Sequence, residues 1–181
     1  AGLMSETPSA DRPLSTSGPM GRNTGDTIEL LQTMAPRPLD GQFNPLDLAN
    51  VSVGWLGDLD GYLAMETGVQ SLCESSLGQV SAAGGRVEPA RLRFDLEELW
   101  FCWTTLRHSS RASMRPYYDD PQLRAMLKPE IIWEIEQSMI ISEADIARAN
   151  GIRANWNREL TRLFSEYDFL AIPSAQVFPF A

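Results

Sequence analysis

Residues 51–92 do most to limit what this chain can fold into. Val51, Val53 and Trp55 alternate with small residues, the period of a strand, and Gly57 to Gly61 supply a turn. Val69, Leu72, Cys73, Leu77 and Val80 then recur at helical spacing, and Gly84 and Gly85 mark the end of that helix. Arg86 to Leu92, a short stretch with Val87 near its start, reads as a second strand. A strand, helix and strand of this length form a βαβ unit whose two strands are parallel neighbours. The predicted class is therefore α/β.

The rest of the chain is mostly helical. Residues 1–22 are loop-rich, with Pro8, Pro13 and Pro19. A helix follows, capped by Asn23 or Thr24, with Asp26 and Glu29 at its positive end and Ile28, Leu31 and Met34 on one face. Residues 35–47, rich in Pro and Gly, break it. Beyond the βαβ unit, residues 95–108 form a helix with one apolar side, and residues 119–140 form two short helices split at Pro129. The longest helix opens at Ser142, where Asp145 completes a capping box, and repeats Ala149, Ile152, Trp156, Leu160 and Leu163. Phe169 to Ile172 is an apolar strand ended by Pro173.

Composition narrows the function. The 181 residues are 43% hydrophobic and 22% charged, as in a globular domain, and carry a net charge of −9. A nucleic-acid binder needs a basic stripe to neutralise phosphates, and an anionic membrane surface repels this charge, so neither is expected as a partner. No apolar run approaches the ~20 residues that span a bilayer. The first residues lack the charged start and apolar core of a signal peptide. Cys73 and Cys102 lie in helix-like stretches without metal-ligand spacing, and are expected as buried, reduced thiols of a cytoplasmic protein. The chain opens in mid-loop without an initiating Met, as a piece of something longer would.

No set of residues here reads as catalytic. The loop from Pro13 to Asp26 has neither phosphate-binding glycine pattern, and Pro19 removes a backbone donor where a cradle needs one. Ser15 and Ser17 lack an evident base. His108, the sole histidine, sits at a polar helix end, where a cation suits the dipole. Lys128, the sole lysine, precedes Pro129 in an exposed spot, whereas a catalytic lysine is usually desolvated. Glu97–Glu98 and Asp119–Asp120 are sequence neighbours, which do not face each other on a helix, so no metal clamp and no cofactor are expected. Trp100, Phe101 and Trp103 are suited either to a core or to an apolar pocket.

The order of the segments adds to this. Gly18, Pro19, Met20, Arg22 and Asp26, followed by an amphipathic helix, resemble the stretch after the Gly/Ser-rich signature of the amidase signature family. Residues 51–59, a helix and residues 84–92 resemble that family's strand–helix–strand segment. Ala149, Arg153, Phe164, Tyr167, Asp168, Pro173 and Ser174 stand at matching positions of its long helix and the strand after it. The resemblance implies a helix-rich portion of the family's mixed-sheet fold, with residues 1–181 as a partial amidase domain that lacks the C-terminal segment. Family members hydrolyse amides with a Ser–cis-Ser–Lys triad. None of the three has a counterpart here, so the resemblance implies that this chain is inactive alone. What it would supply is scaffold and one wall of a substrate pocket, with Trp100, Trp103, Trp133, Pro173 and Ser174 on that wall. Relatives that deamidate glutamine on transfer RNA carry a basic pair where this chain has Trp133 and Glu134, which points instead to a neutral or aromatic amide.

The implied partners are a small-molecule amide, and either the remaining segments of an amidase or a second copy, through uncovered strand edges and apolar faces. Two other readings are open at this point. One is a βαβ module that binds a small ligand at residues 54–62, beyond the first strand. The other is an amidase-derived structural or interaction protein without catalysis.

Overall fold

The computed structural model describes residues 18–35 and 46–180. The chain divides into two units, residues 1–45 and 46–181. In the first, helix α1 spans Thr24–Met34. Its N-cap is Asn23, whose side chain accepts the Asp26 amide at 2.9 Å, satisfying one of the orphan donors of the first turn. Arg22 and Asp26 form an ion pair at 2.8 Å. Ser15 and Ser17 lie outside the described residues.

The second unit is built on three parallel strands in the order β2–β1–β3: β1 is Ser52–Trp55, β2 is Arg86–Pro89 and β3 is Phe169–Ala171. Helix α2, Val69–Ala82, carries the chain from β1 to β2 and completes the βαβ unit. Val87, Val53 and Phe169 stand in one row across the sheet, and Glu88, Gly54 and Leu170 in the next. Val53 and Gly54 point to opposite faces and both are buried, as expected of a central strand in a parallel sheet. Gly54 is required by close approach. A Cβ there would lie 2.8 Å from the Tyr167 ring and 2.9 Å from the Ala90 methyl. Gly84, at φ +94, ends α2 in the left-handed conformation that glycine adopts without steric cost.

Between β2 and β3 the chain is helical: α3, Leu96–Ser109; α4, Arg115–Asp119; α5, Pro121–Arg124; α6, Pro129–Ser138; and α7, Glu143–Glu166. Pro129 opens α6 at its first turn, where its missing N–H costs nothing. The capping box of α7 is present, with Ser142 and Asp145 each accepting the other's amide, at 3.1 and 3.0 Å. Helices α3 and α7 pack together over Cys102, Ala149 and Ile152, with Phe94, Phe101 and Leu106 around them. Ile135 and Leu163 are the bulkiest fully buried side chains.

Asp168 ties the end of α7 to the sheet. Its carboxylate accepts the Ser52 amide at 2.9 Å and the Ser52 hydroxyl at 2.6 Å, which holds its pKa below the usual carboxylate range. Both cysteines are free thiols, but only Cys102 is buried. Cys73 is half-buried, contrary to expectation, because α2 sinks only Val69 fully and leaves its next turn open, with Leu72 59% exposed.

Candidate functional site

The aromatic residues singled out in the sequence fall on α3 and α6. Asp95 caps α3, accepting the Glu97 and Glu98 amides at 2.9 and 3.3 Å. Cys102 and Thr105 define the buried stripe of α3. Trp100 and Trp103 lie off that stripe, 56% and 43% exposed, and stack with ring centroids 5.2 Å apart. They are therefore surface rather than core residues, while Phe101 packs inward. Arg107, one turn further on, lies over the Trp103 ring at 5.5 Å.

Helix α6 presents Trp133, 53% exposed, and meets α3 through His108, whose ring sits edge-on to Trp133 at 4.9 Å. Burial pushes the His108 pKa down, Glu134 opposes this and Arg107 adds to it. His108 stands in the last turn of α3 beside Arg107, which carries a positive charge at that helix end. No serine or cysteine is hydrogen-bonded to the ring among the described residues.

A buried carboxylate holds the two helices in place. Glu134, beside Trp133, is buried and takes the Nε of Arg107 and the Nε of Arg111, each at 2.6 Å. Burial alone would raise its pKa, but the two arginine hydrogen bonds outweigh this and lower it. This clamp escaped sequence reasoning. The available signal was the four-residue spacing of Arg107 and Arg111, one face of a helix, together with an acid between Ile132 and Ile135.

Pro173 and Ser174 lie elsewhere, past the C-terminal end of β3. Pro173 is buried, Ser174 is exposed, and both line a cavity of about 350 Å³ with Val69, Leu72, Cys73 and Phe178. The loops after β1 and β3 are stitched together beside it. The Glu66 amide donates to the Gln176 carbonyl at 2.8 Å, and the Phe178 amide to the Glu66 carboxylate at 2.9 Å. The five residues are thus spread over three places: Trp100 and Trp103 stacked on α3, Trp133 on α6 against His108, and Pro173–Ser174 at the strand ends, where open α/β sheets commonly bind ligands. Among the described residues no group of acidic, histidine or cysteine side chains is placed to hold a metal. Lys128 is exposed at the start of α6.

The turn after β1 is closed on itself, since Asp58 accepts the Gly61 amide at 2.9 Å. The cavity beside it, about 190 Å³, is lined by Leu56, Leu59, Asp60, Ala90, Leu92, Phe94 and Leu96. Asp60 is the single charged side chain there.

No protein-family model matches the sequence, and no curated protein matches it either. The structure, however, superimposes on a bacterial aryl acylamidase of the amidase signature enzymes with a TM-score of 0.70, covering 90% of this chain at 16% identity. The fold matches an α/β portion of the amidase signature architecture. This chain spans 37% of that acylamidase. The helix-rich α/β character and the βαβ unit are as the sequence implied, and among the described residues all three strands are parallel. No helix among the described residues is long and apolar enough to cross a membrane. Tyr167 and Asp168, two of the positions that carried the resemblance, do structural work. The Tyr167 ring packs against Gly54, and the Asp168 carboxylate fastens β1.

Proposed function

We propose that this chain is the middle portion of an amide hydrolase and that it supplies scaffold and one wall of the substrate pocket. The observation that carries this reading is the likeness of nine-tenths of the chain to just over a third of an aryl acylamidase. In the complete protein a serine attacks the amide carbonyl, an acyl-enzyme forms, and water releases the acid. That serine, its cis-Ser partner and the lysine belong to segments outside this chain. The remaining amidase segments are then its partners and cover the apolar side chains left exposed, Phe169 and Ile172 among them. Neither nucleic acid nor membrane is a partner, and the setting is the cytoplasm.

The wall comprises Trp100, Trp103 and Trp133 on the helices, with Pro173 and Ser174 at the strand ends. Its substrate is an amide with an aromatic group. Exposed indole faces suit an aryl ring, and Glu134, spent on Arg107 and Arg111, offers no free charge. The test is hydrolysis by the protein encoded by the whole reading frame, given an aryl amide and free glutamine. The reading predicts turnover of the aryl amide, and a Trp133→Arg variant that loses part of that preference. Unchanged preference in the variant removes Trp133 from the pocket. No turnover of either amide by the whole protein contradicts the hydrolase.

A further inference from the structure

Four residues of the turn after β1 have positive φ, and two of them are not glycine: Leu59 at +58 and Asp60 at +56. An aspartate tolerates the left-handed region, but a leucine is strained there and persists only where its surroundings dictate it. The strain has a positional consequence. Successive residues of an extended segment point to opposite sides, whereas this pair turns both Leu59 and Asp60 onto the cavity of about 190 Å³ beside the turn.

The facing wall is residues 90–96, just past β2. Ala90, Leu92, Phe94 and Leu96 line the cavity, while the intervening Arg91, Arg93 and Asp95 are exposed and do not. The Tyr62 hydroxyl donates to the Leu96 carbonyl at 3.4 Å and ties the two walls together. The cavity thus sits outside the carboxyl ends of two adjacent parallel strands, where such sheets bind ligands.

Its charge is unanswered. Asp58 is bound to the Gly61 amide, but the Asp60 carboxylate has no hydrogen-bond or ion-pair partner among the described residues. No cation among them lines the cavity, and of the flanking residues Asp58, Asp95 and Glu97 outnumber Arg91 and Arg93. Burial, followed by Glu97 and Asp95, pushes the Tyr62 pKa up, so the field beside the cavity is negative as well.

We infer that this cavity binds a small protonated amine, with its ammonium on Asp60 and its hydrocarbon body against Leu59, Leu92 and Phe94. A carboxylate holds an ammonium through charge-assisted hydrogen bonds. An anion would be repelled by Asp60, and a neutral hydrocarbon would cover that carboxylate without giving it a partner. An apolar cavity of about 150 Å³ takes up benzene. At about 190 Å³ this one has room for a single ring and an ammonium. The inference does not rest on the amidase reading.

The experiment is a titration of the whole chain with benzylamine at neutral pH, where it is protonated, and at constant ionic strength. The leucine methyl resonances report binding. Those of Leu56, Leu59, Leu92 and Leu96 should shift saturably, while those of Leu30 and Leu123 stay in place. Benzyl alcohol and benzoate carry the same ring without the cation, and each should bind at least about tenfold more weakly. Asp60→Asn removes the charge with a residue that suits the left-handed region, so the fold should stand, which urea unfolding checks. The variant should bind benzylamine about tenfold more weakly and benzyl alcohol as before. The comparison of the three ligands uses the unaltered chain and decides the matter even where the variant is less stable. Equal binding of benzyl alcohol and benzylamine, unchanged benzylamine affinity in a folded Asp60→Asn, or no saturable shift at the four leucines overturns the proposal.

Discussion

Replacing Glu134 by Gln removes the charge that both Arg107 and Arg111 address, and nearly preserves the volume. The carboxylate side chain is 10% exposed, against 40% and 29% for its two arginines. Breaking a fully buried pair costs about 3–5 kcal/mol, mostly because the surviving charge is stranded. Here the stranded arginines are partly wet and can recover hydration, and glutamine still accepts one hydrogen bond. The expected loss is therefore about 2 kcal/mol. The sign of the pH dependence follows from the lowered pKa of Glu134. Its contribution is fully present above the ordinary Glu value of 4.5 and is lost as pH falls through the lower folded-state value. Urea unfolding of both proteins should show the gap at neutral pH, with unchanged m-value, and the gap should close under acid conditions. A loss below about 0.5 kcal/mol at neutral pH, the range of ordinary surface changes, would refute the clamp. So would a gap that widened in acid.

Three other outcomes are expected. Gly54→Ala forces a methyl to within 2.8 Å of the Tyr167 ring and 3.0 Å of Leu170, and should cost about 1–3 kcal/mol by urea unfolding. Trp103→Ala should cost less than about 1 kcal/mol, because the ring is a stacked surface residue, whereas a core tryptophan would cost about 3–5 kcal/mol. Asp168→Asn should lower the melting temperature and speed hydrogen exchange at the Ser52 amide, since that amide and hydroxyl lose a charged acceptor; unchanged exchange would mean that the tie contributes nothing.

The parts of the fold legible in the sequence are those set by local chemistry. Alternation at Val51, Val53 and Trp55, the glycines at 84 and 85, and the Ser142–Asp145 box each act within a few residues, and each element is found where the pattern placed it. The short helix α4 and the 3-10 turn before it gave no periodic signal. The place of β3 beside β1 is decided by contacts more than a hundred residues apart, such as Ser52 with Asp168, which no local pattern encodes. Burial of Glu134 and Glu159 was equally hidden. A carboxylate in a helix reads as solvent-facing until packing brings distant groups against it: Arg107 and Arg111 against Glu134, and the Arg93 amide against Glu159, whose Arg162 partner is on its own helix. The site was legible only in residue type: tryptophans suggested an apolar surface, but their separation from Pro173 and Ser174 is a property of the tertiary fold.

The central claim is that this chain forms a wall and a scaffold while the bond-breaking groups lie in other segments. Incubating the purified 181-residue chain with an aryl amide, and measuring the amine released, tests it most directly. The account predicts a rate equal to that of buffer alone. Amine release that disappeared on replacing one of the chain's own serines, Ser174 first, would contradict it.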